Sequence, residues 1–190
     1  MNALQGGFAD PPRDAAHAFR AAMGAMARPG TIHTVTGITP PAPLSVAAAV
    51  LILTLCDPDT PLFIAPSHDG PALRDWITFH TGAPLAGPAN CAFAVGPWDA
   101  LLPLSAYAIG TPEYPDRAAT LIVEVPILRT TDLRAPGTRL TGPGIRDAAM
   151  LPLPDAALLA ANAALFPLGV DLFLTCGADL AALPRSTRIG

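Results

Sequence analysis

Ser67-His68-Asp69 sets a hydroxyl, an imidazole and a carboxylate side by side. Adjacent residues do not place three side chains in a nucleophile–base–orienter line, and no G-x-S-x-G elbow exists. The segment reads instead as a polar turn ahead of a helix, with Asp69 as the helix cap. The four histidines, His17, His33, His68 and His80, include no H-x-H or H-x-x-x-H pair, so a metal site would have to be assembled in space. His33, just after Pro29-Gly30, is a candidate site residue whose simpler reading is a solvated strand histidine. Cys56, Cys91 and Cys176 lie far apart without C-x-x-C spacing, which argues against a zinc or iron–sulfur site built from this chain alone. An odd number of cysteines with apolar neighbours reads as buried thiols in a reducing cytosol.

Anion chemistry has better material. Gly142-Pro143-Gly144-Ile145 follows a strand, and two glycines around a proline make a tight turn whose N–H groups can form an anion nest. The same residues serve equally to turn a strand into a loop. Arg139 and Arg146 flank the turn. Glu113-Tyr114-Pro115-Asp116-Arg117 precedes the clearest strand. There Arg117 either grips an anionic group while Asp116 fixes its fork, or pairs with Asp116 to tie a loop to its strand, and the structural pair is favoured. Pro184-Arg185-Ser186-Thr187-Arg188 reads as an exposed tail or as a segment that docks onto a partner subunit. The ligand or anion candidates are therefore Arg28, Asp116, Arg117, Gly142, Gly144 and Arg185. No residue is assigned a catalytic role, and neither a metal nor a cofactor is expected.

Composition narrows the function classes. All eleven basic residues are arginine. Without lysine there is no Walker A loop, no kinase strand lysine and no pyridoxal-phosphate Schiff base. Such a bias also fits a GC-rich genome. The net charge of −4 excludes a general nucleic-acid binder, which needs a basic field. With 51% apolar and 14% charged residues the chain can bury a substantial core. Met1 to Ala9 shows no secretion signal, and Leu44 to Cys56 is too short for a bilayer, so a soluble, cytoplasmic protein is expected.

The candidates must be positioned by elements that punctuation delimits. Asp10-Pro11-Pro12 opens a helix, Asp10 as its cap, that carries Phe19, Ala22, Met23 and Met26 and ends at Arg28-Pro29-Gly30. Thr31 to Val35 reads as a short strand, and Pro40 to Pro43 as a rigid linker. The helix from Ser45 to Leu55 is apolar nearly all round and should be buried. Leu62 to Ala65, Cys91 to Val95 and Thr120 to Val125 read as strands; Asp69-Gly70-Pro71 opens a helix that Gly82 stops. Pro154-Asp155 caps a helix through Leu165, and Val170 to Cys176 is the last strand expected. Apolar runs alternating with helices give an α/β domain over residues 1–190 with a mostly parallel, covered sheet. The low charge fraction and the all-apolar helix also leave more apolar surface than a monomer of this size covers, which points to a homodimer.

Several segments in order resemble one family. Gly7-Phe8-Ala9-Asp10-Pro11, Phe19-Arg20 and Met26-Ala27-Arg28-Pro29-Gly30 are followed by Leu53-Thr54-Leu55-Cys56-Asp57-Pro58-Asp59-Thr60-Pro61 and Tyr114-Pro115-Asp116-Arg117-Ala118-Ala119-Thr120. Leu140-Thr141-Gly142-Pro143-Gly144-Ile145, Asn162 to Asp171 and Leu183-Pro184-Arg185-Ser186-Thr187 complete the set. Together they resemble the phosphonate-metabolism PhnH family, the H subunits of carbon–phosphorus lyase, over almost the whole chain. The resemblance implies a subunit that acts with subunits G, I and L in replacing the adenine of ATP by methylphosphonate, giving ribose 1-methylphosphonate 5-triphosphate; subunit J then cleaves the carbon–phosphorus bond. It implies a three-layer αβα sandwich with a mixed, mostly parallel sheet, similar to the large domain of pyridoxal-phosphate-dependent transferases but without the cofactor. It also implies a homodimer in isolation and a place in a larger core complex. The radical step needs three cysteines around a cluster, and this chain lacks that spacing. An accessory or assembly subunit without autonomous activity is the favoured reading, in keeping with a mean hydropathy of +0.42. The alternatives are a contributor of arginines to a composite phosphonate or nucleotide site, met only within the complex, and an unrelated small-molecule α/β enzyme.

Overall fold

The computed structural model describes residues 5–129 and 137–190. Over these the chain runs through α1 (Pro11–Ala27), β1 (His33–Thr34), α2 (Val46–Leu55), β2 (Leu62–Ile64), α3 (Pro71–Thr81), β3 (Phe93–Pro97) and β4 (Thr120–Glu124). It continues through β5 (Thr138–Thr141), β6 (Ala149–Leu151), α4 (Ala156–Ala163), β7 (Asp171–Cys176), β8 (Asp179–Leu183) and β9 (Arg188–Ile189). The result is an α/β fold around a mixed six-stranded sheet of order β1-β8-β7-β4-β3-β2. Strands β2, β3, β4 and β7 are mutually parallel; β8 runs antiparallel to β7, and β1, antiparallel to β8, points the same way as those four.

Unbroken apolar runs make sense here because both faces of the sheet are covered. In β4, Ile122 points into one core and Leu121 and Val123 into the other. In β7 the split repeats, Phe173 on the first side and Leu172 and Leu174 on the second. The register Leu121↔Leu172, Ile122↔Phe173 aligns like with like, since neighbouring residues of paired strands share a face. The first core is closed by α1, α2 and α3. The second is closed by α4, by the 3-10 turns Trp98–Leu101 and Leu104–Ala106, and by a separate three-stranded sheet of order β6-β5-β9.

Helix α2 is the innermost helix, as its composition requires. Ala47 through Ile52 are all buried, and the small Ala47, Ala48 and Ala49 let α1 approach with its own Ala18, Ala22 and Ala25. Ser45 caps the helix, its Oγ accepting from the Ala48 N–H at 3.2 Å. Two expected caps form differently. Asp10 makes no side-chain cap bond; instead its own N–H donates to Asp14 Oδ2 at 3.0 Å, so the carboxylate four residues on reaches back. At α3 the cap position falls on Gly70, and the carboxylate of Asp69 goes to the Arg74 guanidinium, which offers it two N–H donors in parallel.

The largest departure from the sequence reading lies after residue 170. Val170 to Cys176 does not end the sheet: Gly177, at φ +58°, turns the chain back and β8 pairs antiparallel with β7. The segment at Arg139 forms a strand, but in the second sheet rather than the first.

Candidate functional site

Three of the segments that pointed to anion chemistry converge. Strand β9 pairs with β5 in the register Leu140↔Ile189 and Thr141↔Arg188, which brings residues 184–188 beside the Gly142-Pro143-Gly144 turn. A Cβ on Gly142 would lie 3.2 Å from the Ser186 carbonyl, and one on Gly144 only 1.9 Å from the Ala27 carbonyl at the end of α1. Both glycines hold positive φ, +127° and +79°, and the Ile145 N–H closes the turn on the Gly142 carbonyl at 3.2 Å. Arg28 therefore stands next to the turn. Alternation along the small sheet sends Leu140, Ala149, Leu151 and Ile189 inward. It leaves Arg139, Thr141 and Arg188 together on the outer face, with both arginines exposed and neither in an ion pair among the described residues.

Asp116, Arg117 and Arg185 form a second group with a different use. Arg117 does not pair with Asp116; its guanidinium lies over the Tyr114 ring, 4.1 Å from the centroid, a cation–π contact at the surface. Pro115–Arg117 is a 3-10 turn, and Arg185 clamps it from within: Nη1 donates to the carbonyls of Pro115 at 2.7 Å and Gly169 at 2.9 Å. Its Nη2 meets Asp171 Oδ2 at 3.1 Å, and Asp171 Oδ1 accepts from the Arg185 N–H. The 184–188 segment is thus neither a loose tail nor a free arm; Arg185 spends its donors holding the strand β7 entrance to the turn before β4.

The most polar buried cluster is one that sequence reasoning dismissed. His68 lies in the turn expected ahead of α3 but is buried there, and its Nε2 meets Oε2 of Glu124, the last residue of β4. The other oxygen of Glu124 accepts from the Ser45 N–H at 2.7 Å, at the start of α2, where the helix dipole favours a carboxylate. Ser67 Oγ lies 3.2 Å from His68 Nδ1. Ser67, His68 and Glu124 do form a line, the third member coming from another strand rather than from Asp69.

No group of three His, Cys, Asp or Glu side chains that could hold a metal exists among the described residues. His33 is half-buried against Gly24 of α1, with Thr31 Oγ1 3.3 Å from its Nε2. Burial pushes the Cys56 thiol up to about 12 and that of Cys91 up to about 11, so neither is a nucleophile at neutral pH. No helix among the described residues is long and apolar enough to cross a membrane.

One surface is apolar beyond what a solvent face requires. No charged residue stands between Asp155 and Asp171, yet the segment carries α4 on the outside of the molecule. Leu158, Leu165 and Phe166 are 42%, 47% and 62% exposed. With Pro103, Leu104, Tyr107 and Ile109, the two leucines line a groove of about 520 Å³. The missing charge was the signal for this face, and helical periodicity alone hid it because α4 has apolar residues on every side.

A family model described as bacterial phosphonate metabolism protein (PhnH) matches residues 6–190. Subunit PhnH of alpha-D-ribose 1-methylphosphonate 5-triphosphate synthase from Rhizobium meliloti (strain 1021) is 41% identical over 194 residues, covering 97% of this chain and 94% of that protein. HtxG of Stutzerimonas stutzeri, named as a C-P lyase subunit protein, is 30% identical over 177 residues, covering 90% of this chain and 84% of its own length.

Proposed function

The chain belongs to the bacterial phosphonate metabolism protein (PhnH) family, and from that membership we propose that it is a cytoplasmic assembly subunit of the carbon–phosphorus lyase system. In this reading it has no autonomous activity and supports partner subunits G, I and L, which with it form ribose 1-methylphosphonate 5-triphosphate from ATP and methylphosphonate, and subunit J, which then cleaves the carbon–phosphorus bond. Similarity of its αβα layering to the large domain of pyridoxal-phosphate-dependent transferases, without their cofactor, is part of the same proposal. The observation that carries it is the uncharged outer surface of α4 and the segment that follows it, where Leu158, Leu165 and Phe166 stand in water in the isolated chain. Burying such a face drives association, and an exposed aromatic beside a groove is the usual anchor of an interface. In the absence of partners the same face pairs two copies.

Leu165→Glu, on an exposed position, should change the chain's own stability by no more than about 0.5 kcal/mol. It should convert a dimer to a monomer in size-exclusion light scattering and remove the chain from the co-expressed complex. Assembly at wild-type stoichiometry with the glutamate in place overturns the docking face.

A second reading rests on Arg139 and Arg188, which share the outer face of the small sheet beside the Gly142 turn. Two guanidinium forks next to a glycine turn suit a phosphonate or triphosphate supplied by the complex, with Arg28 adjoining and Arg117 a further surface candidate. Arg139→Gln together with Arg188→Gln should then reduce turnover of the reconstituted complex at least about ten-fold while melting temperature and assembly stay unchanged. Turnover that falls only in step with lost assembly removes this reading and leaves the first.

A further inference from the structure

Ser67, His68 and Glu124 sit at the carboxyl ends of β2 and β4, apart from both the α4 face and the small sheet. Glu124 is anchored by the Ser45 N–H and offers its second oxygen to His68 as an acceptor only. The hydrogen of a neutral imidazole therefore resides on Nε2, and Nδ1 is left as the acceptor facing Ser67 Oγ at 3.2 Å. This is the division of labour of a nucleophile, a base and an orienting carboxylate, with the base buried and Ser67 exposed to reagent.

We infer that Ser67 is an activated nucleophile, a site of covalent acylation by small activated esters. Its Oγ bonds to the acyl carbon, the ester C–O bond breaks, and the hydroxyl proton passes to His68 Nδ1 and on to the departing alkoxide or phenolate. The three backbone donors that follow Ser67 are already committed. The N–H groups of His68 and Asp69 both bond the Ala65 carbonyl, and that of Gly70 bonds the His68 carbonyl. Without these donors both acyl-transfer steps lose the stabilisation of an oxyanion hole. Acylation still proceeds because an activated ester has a good leaving group. The acyl-serine is an ordinary alkyl ester whose hydrolysis must expel an alkoxide, so it accumulates rather than turning over.

The chain is suited to the test because it has no lysine to compete for acyl groups, and in the Leu165→Glu chain, whose α4 groove does not pair two copies, the exposed Ser105 serves as internal reference. The full-length chain is treated with p-nitrophenyl acetate and its acetyl groups are located by peptide mass spectrometry. In the folded chain Ser67 should be acetylated about a hundred-fold faster than Ser105, the scale of general-base assistance. The product should be a stoichiometric burst of p-nitrophenol without sustained turnover. The difference should vanish in urea, and the burst should vanish in Ser67→Ala, whose melting temperature should be that of the parent. Glu124→Gln, assayed at a temperature where circular dichroism shows it folded, should slow Ser67 acetylation about ten-fold. Equal labelling of Ser67 and Ser105 in the folded chain, or Ser67 labelling that persists in urea, overturns the inference.

Discussion

His68→Ala is expected to lower the unfolding free energy by about 2–3 kcal/mol, the scale of leaving a buried carboxylate without one of its hydrogen-bond donors. Both side chains are largely out of water, 9% and 14% exposed, so solvent does little to screen the loss. What remains after the substitution is a Glu124 carboxylate with one oxygen still on the Ser45 N–H and the other facing an empty, poorly solvated space. The cost falls on more than one loop, because Glu124 ends β4 while Ser45 begins α2, the helix at the centre of the first core. Glu124→Ala should cost at least as much, since it strands His68 and takes away the acceptor of Ser45. For a chain of this size the loss corresponds to a fall in melting temperature on the order of 10 °C. Ser67→Ala, at the exposed end of the line, should stay within about 0.5 kcal/mol of the parent. Urea unfolding followed by circular dichroism measures all three. A loss below about 1 kcal/mol for His68→Ala would mean that the pair is loosely held and that α2 does not depend on it.

That cluster also marks where the sequence becomes opaque. His68 and Glu124 are 56 positions apart, and nothing in the spacing of either announces the other. Glu124 closes a strand of apolar residues, where a polar end residue is ordinary, and His68 follows Pro66-Ser67 in what is locally a turn. The elements that were legible owe it to strong local signals: Pro11 at the start of α1, Gly82 in the left-handed region at φ +69° after α3, and the Leu-Ile-Val run of β4. Strand β8 has the sequence Asp-Leu-Ala-Ala-Leu, which has little intrinsic strand preference. Its pairing with β7 supplies the structure, and that pairing depends on a turn of tertiary context. Strands β6 and β9 have three and two residues, too short for any period to show. The arginine candidates illustrate the same limit. Residue type suggested anion binding for Arg185 and Arg28 alike, but only the fold separates a guanidinium consumed by Pro115, Gly169 and Asp171 from one left at the surface beside a turn.

Gly144→Ala carries the second large effect, and it separates two meanings of the Gly142-Pro143-Gly144 turn. Gly144 sits at φ +79°, a conformation that costs an L-residue about 1–2 kcal/mol. The added methyl would also fall 1.9 Å from the Ala27 carbonyl and 3.3 Å from Pro29 Cδ. The first of these is backbone at the end of α1 and cannot rotate aside, so the turn or the helix end must shift, at about 1–3 kcal/mol for overpacking. Together the substitution should destabilise the chain by about 2–5 kcal/mol, with or without any ligand. Gly70→Ala is the matched control: its φ is −124°, a Cβ there meets nothing within 4 Å, and only the poorer capping of alanine at the start of α3, about 1 kcal/mol or less, is expected. If the turn served chiefly to present N–H groups to an anion, Gly144→Ala would reduce the activity of the reconstituted complex while the isolated chain kept its melting temperature. The close approach to Ala27 favours the packing role: the glycine is there so that α1, with Arg28 at its end, can rest against the small sheet that carries Arg139 and Arg188. Differential scanning calorimetry of the two variants decides it. A Gly144→Ala chain that melts with the parent would show that the turn is free to move and would return it to ligand binding.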